Sequence, residues 1–183
     1  MVTDMIALRD EALLLLDGRG AILETARDVS RIFAEAGISA AVIGGVGVVL
    51  HGHVRTTDDV DILVQSAESA AQLLTANGFV LDPERREFVR DGVPVHLVLP
   101  DQAGTGPGAT IELDGITTVS LPVLINMKLR TGSRNLLRAQ DLADVIGLIR
   151  GHGLTGEFAR HLDPGLRPEF RKLARAIAKE RNG

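Results

Sequence analysis

Apolar and polar positions follow two different periods along this chain. From Gly20 to Ala36 the apolar residues Ile22, Leu23, Ala26, Val29, Ile32 and Phe33 recur every three or four positions, with Asp28 and Arg31 between them. That spacing predicts a helix with one buried face, ended by Gly37. Thr3 to Asp17 predicts an earlier helix, with Ala7, Leu8, Leu13 and Leu14 available for one face. The period then shortens. Ser39 to Ile43 and Val60 to Val64 are short apolar runs, which predict strands. Gly44-Gly45 closes the first, and Val46 to His51 predicts a short helix stopped by Gly52.

Ser66 occupies an N-cap position for a helix over Ser69 to Asn77, with Gly78 at its C-terminal end. Two strand pairs follow, each folded about an Asp-Gly dipeptide, a strong hairpin signal. Arg86 to Arg90 and Val93 to Leu99 flank Asp91-Gly92; Thr110 to Leu113 and Ile116 to Val119 flank Asp114-Gly115. From Leu121 the helical period returns, over Pro122 to Arg130, Leu136 to Arg150 and Leu166 to Arg181. This order predicts an α+β fold: a small mixed sheet with flanking helices, then a helical C-terminal portion packed on it. The soft boundary falls near Val119 to Pro122, dividing the chain into residues 1–120 and 121–183.

One stretch breaks the pattern. In Arg55 to Val64, RTTDDVDILV, carboxylates enter a strand that otherwise reads as buried. Side chains alternate across a strand, so Asp59 and Asp61 face one way and Val60 and Ile62 the other. Neighbouring carboxylates repel, and one pKa rises unless a cation lies between them. The simplest chemical use is an oxygen-ligand site for Mg²⁺. The plainer use is a polar turn at Asp58 and Asp59 followed by a solvent-facing Asp61.

Composition narrows the field. A length of 183 residues allows one domain with a real core, or a small domain with a helical appendage. The net charge of −4 and the absence of Trp and Tyr argue against an extended nucleic-acid surface or a base-stacking platform. Without cysteine there is no disulfide, thiolate zinc site or thiol nucleophile. The N-terminal run LLLL lacks a basic start and a cleavage site, and no apolar run approaches the roughly 20 residues that span a bilayer. A cytoplasmic protein without membrane attachment is expected.

The stretch AVIGGVGVVLHGHVRTTDDVDILV resembles the core motif of the polymerase-beta-type nucleotidyltransferase superfamily. In that family a Gly-Gly or Gly-Ser turn ends the first strand, a helix follows, and an Arg-x-Thr-x-Asp-x-Asp element leads into the second strand. Gly44, Gly45, Arg55, Thr57, Asp59 and Asp61 fall in that register. Among its branches the chain looks nearest to the abortive-infection-type nucleotidyltransferase toxins and their small relatives. NMKLRTGSRNLLRAQDLADVIGLI is similar to their helical segment, with Lys128, Asp141 and Asp144 on the pattern. The resemblance spans roughly Ile32 to Ile149.

It implies an enzyme using Mg²⁺ or Mn²⁺ to transfer a nucleoside monophosphate from a nucleoside triphosphate to a hydroxyl or phosphate acceptor on RNA, protein or a small molecule. Asp59 and Asp61 would be the metal ligands, Gly44 and Gly45 the phosphate turn, and Lys128 a phosphate contact. Arg55 and Thr57 would position the phosphates or brace the turn. The alternative it leaves open is an inactive binding module, part of a toxin–antitoxin or other protein complex.

The sequence departs from the family at the third carboxylate, which is usually carried on a neighbouring strand. The matching run, Gly92 to Leu99, offers His96 instead. His96 is then a general base, a neutral ligand in an altered metal site, or the mark of a site without turnover; the plainer alternative is a structural residue. Glu112, on the next strand, ranks second as a replacement.

Other motifs carry less. Gly45-x-Gly47 lacks the third glycine of a dinucleotide fingerprint, since Leu50 stands there. The loop Gly104 to Gly108 has no Gly-Lys-Ser/Thr ending and so is no P-loop. His51-Gly52-His53 offers two metal ligands and nothing further, and is expected to face solvent. Asp141 and Asp144 share a helix face and are expected to pair with Arg134 or Arg138. The basic residues of the last helix are expected to be a solvated face rather than an RNA contact.

Overall fold

The computed structural model describes residues 20–106, 109–132 and 136–181. The expected helix over Thr3 to Asp17 lies outside them. The chain divides into two compact units, residues 1–50 with 54–119, and residues 51–53 with 120–183.

The described part of the first unit begins with α1, Ala21–Glu35. All six apolar positions of its predicted stripe are buried, and each large side chain so buried contributes about 1.5–3 kcal/mol. Then follow β1 (Ala40–Val42), α2 (Gly44–Leu50), β2 (Val60–Val64), α3 (Ala67–Ala76), β3 (Val80–Asp82), β4 (Glu87–Arg90), β5 (Val93–Val98), the short α4 (Pro100–Ala103), β6 (Thr110–Leu113) and β7 (Ile116–Val119). The strands form one seven-stranded sheet in the order β3-β4-β5-β2-β1-β7-β6. β2 runs parallel to β5 and antiparallel to β1, and β1 runs parallel to β7. The sheet is therefore mixed, as expected, with β2 near its centre.

Both Asp-Gly turns form. Asp91 and Gly92 have φ of 53° and 80°, and Asp114 and Gly115 have 51° and 75°. Paired positive φ angles give the twist that joins two antiparallel strands in a two-residue loop. Ser66 caps α3 by accepting from the Ser69 amide at 3.3 Å. β3 was not anticipated. It is a three-residue strand whose Val80 and Leu81 are exposed, so no burial pattern marks it; only pairing with β4 defines it.

Alternation decides which face carries chemistry. Val60, Ile62, Val95 and Phe88 enter the core with Ile22, Val29 and Phe33 of α1 and Leu74 of α3. Asp61, His96 and Glu87, each next in sequence to one of these strand residues, consequently lie on the opposite face of the sheet.

The second unit is helical: α5 (Leu121–Gly132), a 3₁₀ turn at Leu136–Arg138, α6 (Ala139–His152), a 3₁₀ segment at Gly156–His161, and α7 (Arg167–Arg181). Of the predicted face of α7, Phe170, Ala174 and Ile177 are buried, and Phe170 meets the Phe158 ring at 5.6 Å between centroids. No helix among the described residues is long and apolar enough to cross a membrane.

Candidate functional site

The Gly-Gly turn is shaped around the carboxylates. Gly44 begins α2 with φ of 63°, a conformation that costs any residue with a Cβ. A Cβ there would also lie 1.9 Å from Asp61 Oδ2, so the carboxylate occupies the space a side chain would take. At Gly45 a Cβ would lie 2.3 Å from Thr57 Oγ1 and 2.8 Å from Arg55 Nη2. Thr57 and Arg55 thus pack on the turn. Thr57 Oγ1 also donates to Asp59 Oδ1 at 3.1 Å, and Arg55 Nη1 donates to the Thr56 carbonyl at 2.6 Å. The Ile43 amide donates to the Asp61 carbonyl at 2.9 Å, locking the turn to the start of β2.

β5 brings His96 to the carboxylates, because Asp61 and His96 are paired in register across β2 and β5. His96 Nδ1 lies 3.2 Å from Asp59 Oδ2 and 3.6 Å from Asp61 Oδ1. Its other nitrogen, Nε2, lies 3.1 Å from Glu87 Oε2. One ligating atom from each of Asp59, Asp61 and His96 falls within 4.8 Å of the other two.

The charges are coupled. Burial first, then the adjacent Asp61 carboxylate, raises Asp59 above the ordinary carboxylate range, against the lowering effect of Thr57 and His96. Hydrogen bonding to Asp61 leads the effects that push His96 up to about 9, with Glu87 and the charges of Asp61 and Asp59 adding to it against its burial. Asp59 is nonetheless the nearer oxygen. Both carboxylates therefore act as one acceptor pair on Nδ1, and the imidazolium serves as their internal counter-ion in the metal-free protein.

A pH prediction follows from this. The folded value of about 9 stands above the ordinary 6.5, so protonation of His96 stabilises the fold fully below pH 6.5. That contribution is lost as pH rises through 9. His96 is one-third exposed, so solvent screening limits the effect to about 1 kcal/mol. Thermal melts of the chelator-treated protein should fall by about 2–4 °C across that window, and the slope should flatten in His96→Gln.

The residues present are compatible with a divalent ion. Two carboxylates and an imidazole converge, and the missing Cβ of Gly44 leaves room for the Asp61 carboxylate. Gly44→Ala should therefore displace Asp61. The expected cost is about 1–3 kcal/mol of stability, read by urea denaturation, with divalent-ion affinity reduced by about tenfold or more, read by calorimetry.

Solved structures similar to this chain include two nucleotidyltransferase-like proteins. One, an antigenic nucleotidyltransferase-like protein from Paracoccidioides brasiliensis, aligns with a TM-score of 0.51 at 18% identity, covering 87% of this chain and 88% of its own. The other, a provisionally assigned nucleotidyltransferase from H. pylori, aligns with a TM-score of 0.53 at 13% identity, covering 84% and 92%. The fold is that of nucleotidyltransferase-like proteins. No protein-family model and no curated protein matches the sequence.

Within that fold the remaining sequence candidates separate. Glu112 is exposed on β6, the edge strand furthest from β3, and takes no part in the cluster of Asp59, Asp61 and His96. Lys128 belongs to the second unit. It is buried there, and its Nζ lies 2.8 Å from both Asp141 Oδ1 and Asp144 Oδ2. Its charge is committed to these acids. Thr131 Oγ1 and Arg138 Nε reach Asp141 Oδ2 at 2.6 and 3.0 Å, and Gln140 Nε2 donates to Asp144 Oδ1 at 3.0 Å. Arg138 is thus a partner of Asp141, as expected, and Lys128 is the partner not anticipated; Arg134 lies outside the described residues.

The histidines of His51-Gly52-His53 are not a solvent-facing pair. His51 is buried, and its carbonyl lies 2.6 Å from His152 Nε2. The His53 ring occupies the space beside Gly147, where a Cβ would approach it to 2.3 Å. Among the described residues, neither joins a group of three or more metal-ligating side chains.

Glu87 was missed. It is largely buried, with 10% of its side chain exposed. The signal was present: a two-residue turn at Asp91-Gly92 pairs Arg90 with Val93 and Phe88 with Val95, so the next residue along each strand brings Glu87 opposite His96.

Proposed function

We propose that this protein is a nucleotidyltransferase that moves a nucleoside monophosphate from a nucleoside triphosphate to a hydroxyl or phosphate acceptor with a divalent cation, Mg²⁺ or Mn²⁺. The observation that carries the reading is the convergence of Asp59 and Asp61 beside the Gly44-Gly45 turn, inside a nucleotidyltransferase-like fold. When bound, the cation would neutralise the triphosphate and stabilise charge as pyrophosphate leaves. Asp59 and Asp61 would hold it. Gly44 and Gly45, without side chains, let Asp61, Thr57 and Arg55 pack against the turn, which would be the phosphate turn. Thr57 orients Asp59 through its hydrogen bond, and Arg55 braces Gly45. By the resemblance, His96 would take the position of the family's third acid.

One observation favours a second reading, a nucleotide-binding module without turnover. His96 already supplies the positive charge between the two carboxylates. One experiment separates the two. Each α-labelled nucleoside triphosphate is incubated with the protein, Mg²⁺ or Mn²⁺, and panels of RNA, protein and small hydroxyl acceptors. Labelled product with pyrophosphate release supports the transferase. Saturable triphosphate binding without product in every combination supports the module.

A further inference from the structure

We propose that Glu87 and His96 make this a mixed oxygen–nitrogen metal site, in which His96 ligates through Nδ1 and Glu87 fixes the imidazole through Nε2, so that the site prefers first-row transition cations to Mg²⁺. The inference rests on the metal-site reading above and deepens it.

The two nitrogens of His96 are divided between two environments. Nε2 faces Glu87 Oε2 at 3.1 Å, while Nδ1 faces Asp59 Oδ2 and Asp61 Oδ1. A carboxylate only accepts hydrogen bonds, so both nitrogens of the imidazolium have an acceptor, Glu87 at Nε2 and the aspartates at Nδ1. A cation that took the place of the Nδ1 proton would meet a lone pair directed to where the two aspartates converge, while Glu87 kept the proton on Nε2. With a cation bound, this would be the carboxylate–histidine–metal arrangement by which an outer acid sets the tautomer and raises the basicity of a ligating imidazole. Glu87 is itself held firmly, on a strand paired on both sides, with Arg85 Nη1 at 3.7 Å from its other oxygen.

The same division argues against His96 as a general base. A base needs a lone pair directed at the acceptor hydroxyl. Here Nε2 is engaged by Glu87, and Nδ1 is directed at the aspartates. Ligand chemistry then sets the preference. Mg²⁺ favours an all-oxygen shell, whereas imidazole nitrogen suits first-row transition cations. Asp59 and Asp61 alone would suit Mg²⁺; the nitrogen of His96 shifts the balance.

The test uses Mn²⁺ as the probe on the full chain, stripped with chelator, and reads pulsed electron paramagnetic resonance together with displacement by Mg²⁺. Wild type should show nitrogen-14 modulation from a directly bound imidazole. His96→Asp should keep Mn²⁺, lose that modulation, and release Mn²⁺ to Mg²⁺ about tenfold more readily. Glu87→Gln should keep the modulation but bind Mn²⁺ about ten- to a hundredfold more weakly. Circular dichroism verifies folding, and His96→Asn serves if His96→Asp does not fold. Mn²⁺ bound by wild type without nitrogen modulation, or with modulation that persists in the His96 variants, overturns the ligand assignment but leaves the aspartate site standing. Unchanged Mn²⁺ affinity in Glu87→Gln overturns the role of Glu87. Failure of wild type and of the folded His96 variants to bind either cation overturns both the inference and the metal-site reading.

Discussion

Asp61→Asn is expected to lower nucleotidyl transfer by about a thousandfold or more, the scale on which a preorganised electrostatic group acts. The amide keeps the size of the carboxylate and still fits against Gly44, where no Cβ competes for the space. What it loses is the negative charge that, with Asp59, would hold the cation. Incorporation of α-labelled nucleotide measures the effect, and equilibrium denaturation verifies that the fold survives. A folded Asp61→Asn protein with wild-type transfer would refute the proposed chemistry. Asp59→Asn should behave similarly, and the double variant should be little worse than either single one, because the two acids act as a unit.

The largest effect on stability is expected in the second unit. Lys128→Met removes the ammonium that sits between Asp141 and Asp144. Asp144 is fully buried and Asp141 nearly so, and stranding buried carboxylates costs about 3–5 kcal/mol. Burial alone would raise the pKa of Asp141. Hydrogen bonds from Lys128 and Thr131, with the charges of Lys128 and Arg138, outweigh it and hold Asp141 below the ordinary carboxylate range. A depressed value stabilises the fold above the unfolded pKa, and that stability is lost as pH falls through the folded one. The penalty of Lys128→Met should therefore shrink in acid, where the stranded Asp141 protonates. Urea unfolding at pH 7 and near pH 4 measures both. Restoring balance with Lys128→Met, Asp141→Asn and Asp144→Asn together should recover much of the loss. Equal stability of Lys128→Met and wild type at pH 7 would show that the ion cluster contributes nothing.

The sequence by itself determined most of the elements, β3 and α4 excepted, and the register of both Asp-Gly hairpins. The α1 stripe, the Ser66 cap and both Asp-Gly turns are local devices, and each formed where its pattern placed it. Alternation in VDILV set the facing of β2 before any partner was known, since Val60 and Ile62 had to be buried and Asp61 then had to face away. The two glycines before α2 were readable for a similar reason: only a residue without a Cβ fits beside Asp61 and Thr57.

Tertiary structure decided what depends on distant partners. That His96 meets Asp61 follows from parallel pairing of β2 and β5, two strands separated by a helix and a hairpin, and no local period encodes such a pairing. The Asp91-Gly92 turn sets Glu87 opposite His96 by local register, but that the far side of the same ring meets two aspartates depends on β2. Lys128 looks like a cation for phosphate until folding buries it between Asp141 and Asp144. Local pattern sets conformation and facing, because sterics and burial act residue by residue. The partner of a charge is set by which strands and helices come to lie side by side, and that is a property of the whole fold.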